Sequence, residues 1–410
     1  MADPTVAAET CVALGATEHQ FEAFPGRDIA LGALTVTRVL PVKGKRLVGP
    51  WCFLDRFGPL TFADPSPMDV GAHPHMGLQT VTWLLDGELV HYDSLGYESL
   101  LRPGGVNVMT SGAAIAHAER TPAQNSGRLS GVQLWVALPD RDRHGSALFQ
   151  HVNRVPLDEQ PGGIVHVFAG SLGDLVSPAT HHSGIFGGDV QVHPGAALDV
   201  PLDVAYEYAA LVLNGDCSLE GQPLQERVLY YLGANRSAVC FTSRSGGRLL
   251  LVGGPPFPEK ILMWWNFVAR TPQEIADART DWEERRRFGD VTGYSGPRLA
   301  APSLGSGLVS IYPLRYLLAH VCDNRAWPRN ARAIPINSHG RSSKKRPAKP
   351  LDLPRCLTYG TLPPSHCRSS ERPRVDMLGR PPCRRQNERR LLGRPSPPGG
   401  RRNGRHRERL

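Results

Sequence analysis

Two short histidine-centred pairs constrain this chain more than anything else in it: His73-Pro74-His75 and, about 40 residues later, His117-Ala118-Glu119. On a β-strand, residues i and i+2 project from the same face. Each pair therefore aims two metal-ligating groups at one point. Pro103-Gly104-Gly105 supplies a turn between them, so the later strand can return beside the earlier one. Three imidazole nitrogens and one carboxylate oxygen suit Fe(II), Mn(II), Co(II), Ni(II), Cu(II) or Zn(II), and the ligand types alone do not choose among them. An octahedral ion held by four protein groups keeps two positions for water, a bidentate substrate or dioxygen, the arrangement an oxygenase requires.

The surrounding pattern is β. TVTRVL, GLQTVTWLL, ELVHYD, ESLLR, GVNVMT and GVQLWVAL are short runs rich in β-branched and aromatic residues, separated by Gly, Pro, Asp and Ser. A second stretch (IVHVFAG, ALDVPL, YEYAALVLNGDCSL, VLYYLG, AVCFTS, GRLLLVGG) echoes the first, which implies two copies of one barrel. PLDEQPGG, near residues 156–163, reads as the linker between them. EKILMWWNFVAR reads as a closing strand. Thr271-Pro272-Gln273-Glu274 then starts a helix, with Thr at the N-cap and Pro at its first position, and Ile275, Ala278 and Trp282 face a barrel.

Other polar groups have local explanations. His91 and Asp93 form a competing i,i+2 pair, but HYDSLG sits where strand becomes turn, which favours a structural or supporting role. Gln79 follows His75 by four residues, and its amide is a poor ligand for such an ion, so Glu119 supplies the carboxylate. His181 and His182 lie in a turn-like PATHHSG, and the second copy has no HxH or HxE pair.

The formal net charge of +9 averages two unlike parts. Residues 305–410 carry 24 Lys and Arg against 6 Asp and Glu, leaving the preceding 304 residues at −9. The body thus lacks the electrostatic signature of a nucleic-acid binder; only the basic tail could supply one. That tail holds 14 Pro and no sustained periodicity, so it is expected to be disordered. Cys11, Cys52, Cys217 and Cys240 in the body, and Cys322, Cys356, Cys367 and Cys383 in the tail, form no CxxC pair and read as thiols without a special role. No run is long and apolar enough to span a membrane, and the N-terminus lacks a secretory pattern, so the cytoplasm is the expected compartment.

GPWCFLDRFGP, GAHPHMGLQTVTWLLDGEL, RPGGVNVMTSGAAIAHAE, GVQLWVALP and MWWNFVARTPQEIADARTDWEE together closely resemble the pirin family, from roughly Phe24 to Pro302. The resemblance implies an all-β bicupin: two stacked antiparallel barrels of jelly-roll type, a short C-terminal helix, and metal in the first barrel alone. It places the ligands at His73, His75, His117 and Glu119. It further implies quercetin 2,3-dioxygenase activity on a flavonol with O2, with iron(II) the first expectation among the metals. Glu119 would be ligand and base together. The alternative it implies is a metal-dependent regulator that binds a transcription factor or a metabolic enzyme. The expected division is an N-terminal segment (1–23), a metal-binding barrel (24–155), a second barrel with closing strand and helix (156–304) and the tail (305–410). Members of the family usually finish near SGPRLAAP, and the Arg-, Pro-, Gly- and Ser-rich tail has the composition of GC-rich DNA translated out of frame. A frameshift or altered stop codon is its expected origin, with a natural basic arm as the rival.

Overall fold

Along Trp51–Thr61, Leu78–Gly87 and Arg128–Ala137 successive side chains alternate between two buried environments. Phe53, Asp55, Phe57, Thr82, Gln133 and Trp135 face the inside of a barrel. Leu54, Val81, Trp83, Val132 and Leu134 face outward into a second layer of protein. A sheet buried on both faces needs cover on both, and a second barrel provides it.

The structure is a computed structural model and describes residues 9–11, 19–31, 34–63 and 68–304. The tail 305–410, with its four cysteines, lies outside the described residues. Among those residues the chain forms two antiparallel β-barrels and one α-helix. In the first barrel, seven strands run in the order Leu148–Val152, Val106–Thr110, Leu78–Gly87, Arg128–Ala137, Trp51–Thr61, Leu34–Leu40 and Arg27–Leu31. They face a smaller sheet ordered Asp69–His75, Ile115–Arg120, Leu89–Asp93 and Glu98–Leu101. The second barrel repeats the plan. Its large sheet contains Gly163–Leu172, Phe186–Val192, Gly247–Gly254, Glu207–Gly215 and Val228–Gly233, and His19–Pro25 adds to its edge. A strand that precedes the first barrel in sequence is thereby paired into the second.

The large sheets pack against each other. One continuous core contains Trp51, Val81, Trp83 and Leu134 from the first and Phe168, Ala209, Leu211, Leu250 and Val252 from the second. Polar bonds cross the same interface. Trp51 Nε1 donates to the carbonyls of Phe186 and Gly253, both at 3.1 Å. Trp83 Nε1 donates to the fully buried Asp189 carboxylate at 3.0 Å, which Arg248 neutralises. The interior of the second barrel is filled by Val165, Phe186, Val190, Tyr208, Phe241 and Leu249.

Three details differ from expectation. The strand Phe186–Val192 sits inside the second sheet, although its Gly187-Gly188 pair hides it in the sequence pattern. The expected linker contains an edge strand, Leu157–Gln160. EKILMWWNFVAR is not one strand but a hairpin, Ile261–Trp264 and Phe267–Ala269, turning at Trp265 with φ 51°. The helix spans Pro272–Glu283 as expected. Thr271 Oγ1 accepts from Glu274 N, and Ile275, Ala278 and Trp282 are buried. No described helix is long and apolar enough to cross a membrane.

Because the barrels share one core, urea should unfold both in a single transition. Trp51→Phe, which deletes the indole donor between the sheets, should lower the unfolding free energy by about 1–3 kcal/mol with an unchanged denaturant slope.

Candidate metal centre

The edge strand Asp69–His75 carries His73 and His75, and its neighbour Ile115–Arg120 carries His117 directly opposite His73. The register then slips: Glu119 faces Val70, so the edge strand holds one extra residue at Gly71-Ala72. The C-terminal segment occupies that bulge. Ala72 N donates to the Pro297 carbonyl and Leu299 N donates to the Ala72 carbonyl, both at 2.8 Å. A Cβ at position 71 would lie 2.5 Å from the Pro297 oxygen, so only glycine fits there. The Gly71 carbonyl accepts instead from His73 Nδ1 at 2.8 Å. Gly77, just past His75, has φ 74°, and its Cα lies so close to the docked hairpin that a Cβ would fall 2.1 Å from the Val268 oxygen.

The three histidines converge. His75 Nε2 and His117 Nε2 are 3.0 Å apart, and the His73 ring centroid is 4.4 Å from that of His117. All three are buried, and their ligating nitrogens form a group that could hold a metal ion. Burial pushes their pKa values down: His73 to about 3, His75 and His117 well below the ordinary value. Neighbouring imidazoles add to the effect at the latter two. Two neutral imidazoles with Nε2 atoms 3.0 Å apart share at most one proton. Without it they offer two lone pairs to one point, as a divalent ion requires.

Glu119 stands one step aside. Its carboxylate groups with His117 and His91 rather than with His73 and His75, and Oε1 accepts from Thr82 Oγ1 at 3.3 Å. Burial raises its pKa, which holds it closer to the protonated form than an exposed carboxyl would be. It still lines the same cavity as the three histidines, beside Leu34, Val36, Phe53, Met68 and Trp135. Phe53 stacks on Trp135 at 4.0 Å, and Trp135 meets the His75 ring edge-on at 5.2 Å. Flat and aliphatic side chains thus line the cavity together with the histidines, Glu119, Asp55 and Gln133.

The remaining sequence candidates separate cleanly. Gln79 projects from the opposite face of its strand, where it donates to Thr110 Oγ1 and the Thr180 carbonyl and meets His181. Neither it nor His181 reaches the cluster. Asp93 caps the following turn as expected, accepting from the backbone N–H groups of Leu95 and Tyr97. His91, however, lies against His117, with the two Nδ1 atoms 3.4 Å apart. Asn266 was not legible at all. It is fully buried at the hairpin turn, and its backbone faces His75. Neither side-chain atom of Asn266, nor His75 Nδ1, completes a hydrogen bond.

Comparison with known proteins gives matches over both barrels. The Pirin family model matches residues 33–136, and the model of the Pirin C-terminal cupin domain matches residues 188–289. A Pseudomonas aeruginosa protein named "Putative quercetin 2,3-dioxygenase" is 39% identical over 289 residues, covering 70% of this chain and 91% of that protein. A pirin-like protein of Caulobacter vibrioides is 33% identical over 270 residues, covering 64% of this chain and 93% of its own length. The crystal structure of quercetin 2,3-dioxygenase from Acinetobacter baumannii superposes with a TM-score of 0.67 at 38% identity, covering 70% of this chain and 96% of that one.

The buried imidazoles also set a pH dependence for the metal-free protein. Each is harder to protonate folded than unfolded, so below the ordinary value of 6.5 the unfolded chain binds more protons and stability falls with pH. Urea titrations of chelator-treated protein should show full stability above pH 7. Below that, the loss should approach about 1.4 kcal/mol per pH unit for each such histidine, continuing toward pH 3. His73→Gln should make the slope shallower.

Proposed function

The chain belongs to the pirin family, and we propose that it is a metal-dependent dioxygenase acting on quercetin or a related flavonol. The observation that carries this reading is the convergence of His73, His75 and His117 in a cavity lined also by apolar and aromatic side chains. A divalent ion held by these three histidines, with Glu119 as fourth ligand, would lower the pKa of a bound hydroxyl and raise electron density on the ring to be opened. The rest is work for the chain's own groups. Phe53, Met68 and Trp135 offer flat, apolar contact to an aromatic substrate and exclude water from it. Glu119 is the base in this reading. Thr82 orients its carboxylate.

The similarity to proteins named for quercetin 2,3-dioxygenase supports the substrate class. Iron(II) remains the first metal to test, with manganese, nickel, cobalt, copper and zinc behind it. The same reading keeps the site-bearing barrel at 24–155 and a supporting barrel at 156–304, to whose sheet the strand His19–Pro25 adds.

Elemental analysis and oxygen uptake on quercetin test the proposal together. Wild type should hold about one transition-metal ion per chain and consume O2 at roughly 1 per second or faster. His73→Ala/His75→Ala should lose metal and activity together. Glu119→Gln should keep metal while turnover falls by ~100-fold or more. Metal without oxygen uptake would move the assignment to a metal-dependent regulator of a partner protein, and a metal-free wild type would remove the site.

A further inference from the structure

We infer that Asp93 and His91 act as a relay that fixes the tautomer of His117 and keeps its Nε2 turned to the metal. The inference rests on the metal-site reading above, not on the identity of the substrate.

The relay is assembled by strand register. Leu89–Asp93 pairs with Ile115–Arg120 so that Asp93 stands opposite His117 and His91 opposite Glu119. Asp93 is wholly buried, and its two oxygens have different tasks. Oδ1 accepts from Leu95 N at 2.9 Å and Tyr97 N at 3.0 Å, while Oδ2 lies 3.0 Å from His91 Nε2. A carboxylate oxygen accepts, so the His91 proton sits on Nε2 and its Nδ1 is left as an acceptor. That Nδ1 faces His117 Nδ1 at 3.4 Å, at the long end of hydrogen-bonding range. His117 then donates from Nδ1, and its Nε2 presents a lone pair to the cluster, 3.0 Å from His75 Nε2.

The His91 ring is held in place for this. It is 2% exposed and stacks on Phe149 at 4.2 Å with an interplanar angle of 7°. Asp93 touches none of the three converging histidines through its side chain and acts only through His91, so both are positioning residues. An outer partner of this kind orients a ligating imidazole and raises its basicity. His73 has a simpler version of the same device in the Gly71 carbonyl.

The Asp93→Asn substitution is unusually diagnostic. The two backbone N–H donors require an oxygen at the Oδ1 position, so the new NH2 must face His91 Nε2. That turns His91 into the wrong tautomer, with an N–H aimed at the N–H of His117.

The test is Co(II) affinity of the full-length chain, measured by competition with a chromophoric chelator. Asp93→Asn and His91→Phe, the latter keeping the stack on Phe149, should each weaken binding by ~10–100-fold while still taking up one equivalent. His91→Asn, whose amide oxygen stands near the place of Nδ1, should recover part of that loss. In ¹⁵N-histidine-labelled wild type loaded with Zn(II), long-range ¹H–¹⁵N spectra should show His117 protonated at Nδ1 and metal-bound at Nε2; this readout needs no variant to fold. Affinities within twofold of wild type in both Asp93→Asn and His91→Phe would overturn the relay, as would a His117 protonated at Nε2. A second Co(II) equivalent in wild type, lost in His91→Phe, would overturn it by making His91 a ligand together with His117 and Glu119. None of these readouts uses turnover. A protein that binds metal as described yet ignores quercetin sinks the dioxygenase proposal and leaves the relay standing, whereas a wild type that takes up no Co(II) sinks both.

Discussion

Three neutral imidazoles aimed at one point inside an apolar barrel are the constraint around which the rest is arranged. Burying such groups without hydrogen-bond partners is costly, and burying them as cations costs far more. The fold meets this by assigning outer nitrogens to specific neighbours. A bulge releases the Gly71 carbonyl to His73, and an adjacent strand brings His91 to His117. His75 Nδ1 completes no such bond, although the Asn266 backbone of the C-terminal hairpin lies beside that ring. Each neighbour comes from a different part of the chain, so the site exists only when the whole barrel and its closing segment are in place.

The second barrel contributes no ligand, but it gives the first a rigid back. The core between the large sheets, with Trp51 and Trp83 bonded across it, holds the strands whose opposite faces line the cavity. The interior of the second barrel is packed with Val, Leu, Phe and Tyr side chains, and among the described residues no cluster of metal-ligating groups lies there. One architecture thus serves twice, with converging histidines inside one copy and an apolar interior in the other. The hairpin and helix that follow the second copy then return to the first, burying Trp264, Trp265, Phe267 and Trp282 against Met76 and Ala116. The closing elements and the histidine strands share that one cluster.

Much of this was legible in the residues. Period-two runs mark most of the strands, and the Thr271 cap with Pro272 marks the helix start to the residue. The pairs His73/His75 and His117/Glu119 announce where donors gather, because i,i+2 geometry is a local property of a strand. What escaped had a physical cause in each case. Gly187-Gly188 erases the apolar signal of an interior strand, since close packing of Phe168 and Ala169 replaces the missing side chains. Trp265-Asn266 makes a turn without Gly or Pro, so the hairpin looked continuous. The extra residue at Gly71-Ala72, which sets Glu119 opposite Val70, leaves no mark in the residue pattern.

The sequence by itself thus determined the β class, the doubled barrel, the capped helix and the residue types available to a metal, because all of these follow from periodicity and short-range chemistry. Only the tertiary structure decided which nitrogen of each histidine faces inward. That choice depends on a bulge, a cross-strand register and a hairpin returning from nearly two hundred positions further along the chain. Hydrogen-bond partners of buried groups are chosen by proximity in space, and sequence spacing carries no record of it.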